Sequence, residues 1–151
     1  SLESCVEVLR KGTSGVLAVS GDDGYPYAVP LSYVYDDGRL FFHCAPSGHK
    51  LDAIAGNEKA SFCVIDQDHV VPEEYTTYYR SVIAFGRARV LEDEGEKRAA
   101  LEKLAERYSP RQEEGRRAEI DKLFQRVCMV ELAVEHMSGK EAIELVTEKE
   151  R

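Results

Sequence analysis

The segment Phe41-Phe42-His43-Cys44-Ala45-Pro46-Ser47-Gly48-His49-Lys50-Leu51 decides the fold, because it joins a buried strand to the first turn of a helix. We predict that the strand ends near Cys44 and that Gly48, His49 and Lys50 lead directly into the helix. The start of a helix exposes unpaired backbone N–H groups and carries partial positive charge, which suits a bound phosphate. Lys50 and His49 add side-chain donors, so this turn is a candidate phosphate site.

Two β-hairpins are predicted before this turn, preceded by a short helix over residues 2–11 with Ser1 as its N-cap. Strand 16–20 is followed by the turn 21–24. A longer strand, 27–35, turns at 36–38 into strand 39–44. Pro30 lies inside that longer strand, where it cannot donate a hydrogen bond to a neighbour. We therefore expect Pro30 at a sheet edge, at a bulge, or beside a ligand.

The rest of the chain adds strands first and helices later. The pattern predicts a helix over 50–56, strands over 60–65, 75–90 and 127–134, and helices over 94–108 and 116–125. Residues 66–74 are predicted to form a polar loop, residues from 138 onward a polar tail, and Gly86 a bend or bulge. About six strands joined by short turns indicate a mainly β protein, a β-barrel with accessory helices, in a single domain over 1–151.

Composition narrows the classes of partner. The formal net charge of −8 disfavours long-range attraction to nucleic acid or to an anionic membrane. No apolar run approaches the roughly 20 residues of a membrane span, so we expect a cytoplasmic protein. The four scattered cysteines form no CxxC pair and are interpreted as free thiols of a reducing compartment. With no ligand spacing between cysteines and histidines, no metal site is predicted.

Four motifs, in this order, carry a resemblance to a known family. They are GYPYAVPLSY at 24–33, LFFH at 40–43, GHKL at 48–51 and YRSVIAFG at 79–86. Together they resemble the pyridoxamine 5'-phosphate oxidase-like superfamily, and within it most of all the 5-nitroimidazole-resistance (Nim-type) flavoproteins. The resemblance covers residues 6–140 and implies an FMN-binding split β-barrel, usually a homodimer with FMN in clefts between the subunits.

The resemblance also implies which residues contact the flavin. The strand Val29, Pro30, Leu31 and Ser32 is expected along the isoalloxazine ring, and the turn with His49, Lys50 and Leu51 at the phosphate. His43 and Cys44 are expected near the ring and ribityl chain, and Ser81 and Arg80 near the flavin, with the partner subunit as one source of that pair. His43 is the candidate catalytic residue, because a histidine near a flavin orients a substrate or relays a proton.

These expectations give one leading function and several alternatives. The leading function is an FMN-dependent oxidoreductase that uses NAD(P)H to reduce a small electron-poor substrate, such as a nitro compound. His49 stands where true pyridoxamine 5'-phosphate oxidases carry Arg, and the chain has no Trp, so that oxidase activity is not expected. A non-catalytic flavin carrier or sensor, a relative that uses a deazaflavin, and a haem-binding relative with His43, His49 or His136 as axial ligand stay open.

Overall fold

The computed structural model describes residues 1–110 and 113–150. Within these residues the strands are Ser14–Ser20 (β1), Pro26–Ser32 (β2), Val34–Asp36 (β3), Arg39–Cys44 (β4), Lys59–Val71 (β5), Thr76–Val90 (β6) and Cys128–Glu141 (β7). The helices are Leu2–Lys11 (α1), His49–Gly56 (α2), Glu94–Tyr108 (α3), Glu113–Leu123 (α4) and Ile143–Glu150 (α5).

The described strands form one antiparallel sheet in the order β2-β1-β5-β6-β7-β4-β3. The fold is the predicted split β-barrel with accessory helices. Strand β2 pairs only with β1, where Pro30 lies opposite Val16. Pro30 therefore lies on an edge strand, one of the three positions that the sequence left open, since an edge strand tolerates a residue without an N–H group.

Alternation along the strands builds the main core. In β4, Leu40, Phe42 and Cys44 are buried in the barrel, together with Leu17 of β1 and Phe62 of β5. Successive strand residues point to opposite faces, and Phe41 of β4 accordingly belongs to a second cluster that includes α3 and α4 residues. The second cluster comprises Val34, Phe41, Leu91, Ala100, Leu101, Leu104, Ile120 and Met129. The accessory helices thus cover one part of the outer face of β4.

The predicted strand 27–35 is divided in two by Tyr33. This side chain is fully buried, and its hydroxyl donates a 2.7 Å hydrogen bond to the carbonyl of Leu9 in α1. Its backbone N–H donates to the carbonyl of Thr13 at 3.2 Å. Tyr33 keeps the inward alternation of Val29 and Leu31. The chain changes its strand partner at this residue, because β2 pairs with β1 up to Ser32 and β3 pairs with β4 from Val34.

Two other predictions were wrong in extent. Strand β5 continues to Val71, paired with β6 as far as Thr76, where a polar loop over 66–74 was expected. Strand β7 continues to Glu141 and is followed by α5, where a polar tail was expected. Backbone pairing with β6 holds both extensions. Their polar side chains are mostly exposed, except Asp66 and Glu141, which bind Arg80, so hydrophobic patterning gave no sign of them. The bulge at Gly86 is confirmed by a register shift between Phe85 and Gly86.

Candidate functional site

The turn after β4 has the features that an anion site needs. Helix α2 begins at His49, and its N-cap, Gly48, has φ +143° and makes no side-chain capping hydrogen bond. The space around the Gly48 Cα is open, since an added Cβ would meet no atom within 4 Å. The first N–H groups of a helix have no partner within the helix. With no side-chain cap, those of α2 are left for water or a ligand.

Lys50 brings a positive charge to this turn. It is half-buried, and among the ion pairs formed by the described residues none involves Lys50. Its charge lowers the pKa of the Cys44 thiol at the end of β4, against the larger effect of burial. A cation in the first turn opposes the helix dipole. An anion bound there would offset the unfavourable interaction between the Lys50 charge and the helix dipole.

His49 faces a different neighbour from Lys50. Its Nδ1 lies 3.7 Å from a carboxylate oxygen of Asp22, in the connection between β1 and β2. Its ring centroid is 6.2 Å from that of Tyr27 in β2. His49 also lines a cleft of about 240 Å³ with Gly21, Asp22, Tyr25, Pro26, Tyr27 and Ala53. The start of β2 and the start of α2 therefore form one surface, with His49 between them.

His43 is exposed on β4, where it lies opposite Met129 of β7. It points away from the barrel, because its neighbours Phe42 and Cys44 are buried inside. The structure gives His43 no hydrogen bond or ion pair with another described residue. A general acid or base is normally oriented by a second group, and within the described chain His43 has none.

The edge strand β2 divides its predicted contact residues between two faces. Val29 and Leu31 are half-buried and pack against the barrel core. Pro30 and Ser32 are exposed. Because β2 has a neighbour on one side only, its other side offers backbone groups to a ligand or to a second chain. Leu51, the last residue of the predicted phosphate turn, is also half-buried against the core.

Arg80 and Ser81 lie in another region of the sheet. Ser81 is opposite Ile65 of β5 and Lys140 of β7. Arg80 and Ser81 both line a cleft of about 360 Å³ beside the start of α1. This cleft shares no lining residue with the His49 cleft. In the described chain, the structure brings β2, β4 and α2 together and leaves Arg80 and Ser81 apart from them.

Two carboxylates already hold the Arg80 guanidinium. It donates to Glu141 at 2.7 and 2.9 Å and to Asp66 at 3.0 Å. Burial disfavours its charge, but the hydrogen bonds to Glu141 and Asp66 prevail and raise the pKa of Arg80 above its usual range. Since the guanidinium is occupied, Arg80 orders the junction of β5, β6 and β7 in this chain. A contact between Arg80 and flavin stays a prediction.

Some residues of this region were not singled out by the sequence. Asp22 and Tyr27 flank His49, and Cys128 lies opposite Cys44. The turn at 21–24 was recognised, but nothing local to it indicates that it faces α2. Cys44 and Cys128 are brought together by the pairing of β4 with β7, which hydrophobic patterning cannot specify.

The fold agrees with comparisons to known proteins. A family profile described as pyridoxamine 5'-phosphate oxidase matches residues 1–141. The chain therefore belongs to the pyridoxamine 5'-phosphate oxidase family, within the flavin-binding split-barrel superfamily. The resemblance found in the four sequence motifs is thereby confirmed. A search of curated protein sequences gives no match.

Solved structures share the fold. A FAD-binding protein from Mesorhizobium loti is 26% identical, with TM-score 0.69, covering 94% of this chain and 95% of that one. A putative 5-nitroimidazole antibiotic resistance protein from Bacteroides thetaiotaomicron is 21% identical, with TM-score 0.79 and coverages of 92% and 82%. A FAD and heme binding protein from Mycobacterium smegmatis is 24% identical, with TM-score 0.77 and coverages of 98% and 78%. No helix among the described residues is long and apolar enough to cross a membrane.

Proposed function

We propose that the protein binds FMN and uses NAD(P)H to reduce a small electron-poor substrate, with nitroimidazole-type compounds as candidates. The observation that carries the proposal is the uncapped start of α2, where Gly48 leaves open space and Lys50 has no ion-pair partner among the described residues. A phosphate monoester fits this combination of backbone donors, helix dipole and free cation. Riboflavin lacks the phosphate, so it makes no contact with this phosphate site.

Each group of residues has a separate task in this proposal. The α2 turn binds the phosphate through backbone N–H groups and Lys50, while His49 adds a donor held by Asp22. The edge strand from Val29 to Ser32 supports the ring by its backbone. Bound flavin supplies hydride and electron transfer. His43, exposed and without a partner, is free to turn toward a substrate and position it or pass it a proton.

We also propose that the protein is a homodimer that shares its flavin sites between subunits. Within the described chain, Ser81 and Arg80 lie apart from the α2 turn. A second subunit would bring its own Ser81 and Arg80 to the flavin bound at that turn. The hairpin of β5 and β6 exposes large apolar side chains: Ile65 and Val70 are each 62% exposed and Tyr75 is 96% exposed. Such a surface is typical of an interface. Light scattering that gave a stable monomer would contradict this part.

A flavin carrier or sensor without turnover is the second candidate function. It is favoured by one observation, namely that His43 has no orienting group in the described chain. The two functions differ in a direct measurement. Rapid reduction of bound flavin by NADPH under anaerobic conditions, followed by reoxidation on adding a nitroimidazole, supports the enzyme. Bound flavin that stays oxidised supports the carrier.

The first experiment is a titration of the apoprotein with FMN and with riboflavin, followed by flavin fluorescence. Lys50→Met should weaken FMN binding by about tenfold to a hundredfold, because a hydrogen bond to a charged group contributes about 1.5–3 kcal/mol. Riboflavin affinity should not change. Lys122→Met, which removes an exposed lysine of α4, is the matched control. Absence of FMN binding by the wild-type protein would reject the proposed function.

A further inference from the structure

Cys44 and Cys128 lie directly opposite each other at the ends of two paired strands. Cys44 is the last residue of β4, Cys128 is the first of β7, and the two are partners in the antiparallel register. Opposite residues in such a ladder have Cα atoms about 4.5–5.5 Å apart, and a disulfide spans Cα distances of about 4.4–6.8 Å. The register therefore places both thiols within disulfide range without a rearrangement of the sheet.

The two thiols also interact with each other as free thiols. Burial raises the pKa of the Cys44 thiol to about 11, and Cys128 acts in the same direction electrostatically and through a side-chain hydrogen bond. Lys50 opposes this change. The register that pairs Cys44 with Cys128 is what brings the two thiols together across the strands.

Access to the two thiols is unequal. Cys44 is only 6% exposed. Cys128 is half-buried and lines a cleft of about 370 Å³ with Pro46, Phe124 and Val127 among its other walls. A small reagent that enters this cleft meets Cys128 first, with Cys44 behind it. Cys128 is therefore placed to react first with an oxidant, and Cys44 is placed to form a disulfide with it afterwards.

We propose that Cys44 and Cys128 are an oxidative modification site, which a hydroperoxide converts from a dithiol to a disulfide. The Cys128 thiolate attacks one peroxide oxygen, the O–O bond breaks, and hydroxide leaves and takes a proton from solvent. This gives a sulfenic acid on Cys128. The Cys44 sulfur then attacks the Cys128 sulfur, the S–O bond breaks, and water leaves with the Cys44 proton. Two thiols and one hydrogen peroxide thus yield one disulfide and two waters, with two electrons passing to the peroxide.

The disulfide has a consequence for the neighbouring turn. Residues 45–48 begin directly after Cys44 and lead to Lys50, so a bond between Cys44 and β7 fixes the end of the turn that precedes α2. Fixing a segment in its bound conformation strengthens binding, because less flexibility is lost when the ligand arrives. We therefore expect the oxidised protein to bind FMN more tightly. This consequence rests on the proposed function, whereas formation of the disulfide does not.

The test of the disulfide uses the full chain, reduced and then treated with hydrogen peroxide. Unreacted thiols are alkylated, and peptides are mapped by mass spectrometry. We expect a linked peptide pair joining Cys44 to Cys128 in the wild type and in Cys63→Ser, a control that removes another half-buried cysteine. Cys44→Ser should leave Cys128 at the sulfenic or a higher acid, and Cys128→Ser should leave Cys44 unmodified. Absence of the linked pair from the wild type would overturn the proposal, and this result does not depend on the folding of any variant.

The test of the consequence compares FMN affinity before and after oxidation. The oxidised wild type should bind FMN about fivefold more tightly than the reduced form, a coupling at the lower end of the usual range. Cys63→Ser should show the same gain and Cys128→Ser none. Equal affinities for the two forms would refute the link to the phosphate turn. If neither form bound FMN, the proposed function would fail, while the peptide map would still decide whether the dithiol exists.

Discussion

Ser81 of β6 and Cys44 of β4 lie beside opposite ends of β7, because Ser81 pairs with Lys140 and Cys44 pairs with Cys128. Lys140 follows Cys128 by twelve residues in that strand, which is about 40 Å in a straight strand at about 3.3 Å per residue. Ser81 and the α2 turn thus belong to different regions of one chain. If both contribute to a flavin site, the simplest source of the second region is another subunit.

A mixed dimer tests that arrangement. Lys50→Glu should abolish FMN binding by reversing the charge at the phosphate, and Ser81→Tyr should abolish it by filling the space beside the ring. In a dimer with one change on each subunit, one site carries both changes and the other carries neither. We expect the mixed dimer to bind one FMN, measured by absorbance after purification with two different affinity tags.

The control for this experiment is the pair of homodimers, each of which should bind no FMN. If the site were built within a single chain, each subunit of the mixed dimer would carry one defect and no flavin would bind. A mixed dimer without flavin would therefore contradict the shared site. Full occupancy of the Ser81→Tyr homodimer would instead remove Ser81 from the site.

Gly86 is the basis of a second prediction, on stability. An added Cβ at Gly86 would overlap the carbonyl oxygen of Ala133 in β7, at the bulge where the register shifts. Backbone cannot yield there without breaking the pairing of β6 with β7. We expect Gly86→Ala to lower the free energy of unfolding by about 2 kcal/mol or more, as overpacking commonly does, measured by urea denaturation.

Gly56→Ala provides the matched control for that prediction. Gly56 is the last residue of α2, and a Cβ there would meet no atom within 4 Å. Alanine favours a helix by up to about 1 kcal/mol relative to glycine, so this variant should be as stable as the wild type or more stable. Equal stability of Gly86→Ala and the wild type would show that the bulge accommodates a side chain.

The sequence predicts the features of this protein that depend on local residues and misses those that depend on tertiary contacts. The apolar run of β4 predicted that strand, and the missing N–H of Pro30 limited this residue to an edge, a bulge or a ligand contact, because both signals lie in short stretches of chain. The extensions of β5 past Ile65 and of β7 past Val134 were missed, because pairing with β6 holds them rather than burial of apolar side chains. The contact of Asp22 with His49 was also missed, because it forms only when the β1–β2 hairpin packs beside the start of α2.

The pKa of Cys44 gives a third prediction, on the dependence of stability on pH. Burial, followed by the Cys128 thiol, raises this pKa from 9.0 to about 11 in the folded protein. The folded state therefore holds the proton more tightly than the unfolded state. This contribution is complete below about pH 9 and is lost as the pH rises to about 11. It amounts to about 3 kcal/mol at most, at about 1.4 kcal/mol for each pKa unit.

Comparison with Cys44→Ala isolates that contribution from other groups that titrate at high pH. Under reducing conditions, the wild type should lose stability faster than Cys44→Ala between pH 8.5 and 10.5, as measured by urea denaturation. Cys63→Ala should follow the wild type. A constant difference between wild type and Cys44→Ala over this range would mean that the Cys44 pKa is not raised.

The contact between Asp22 and His49 gives a fourth prediction, on selectivity for the phosphate. The Asp22 carboxylate lies 3.7 Å from His49 Nδ1, and both side chains are exposed. A phosphate at the α2 turn would be repelled by this carboxylate and attracted by the histidine. Asp22→Asn should therefore tighten FMN binding, and His49→Ala should weaken it, each by about threefold, since an exposed charge interaction contributes less than about 1 kcal/mol.

Salt and cofactor choice distinguish this electrostatic effect from a change in shape. Both effects should shrink in 0.5 M salt, where the screening length falls to roughly 4 Å, and neither should appear with riboflavin. Asp68→Asn, at an exposed position of β5 opposite Tyr79, is the matched control and should leave FMN affinity unchanged. If Asp22→Asn altered riboflavin and FMN affinity equally, Asp22 would act on the ring side of the site, and the phosphate would have to lie away from His49.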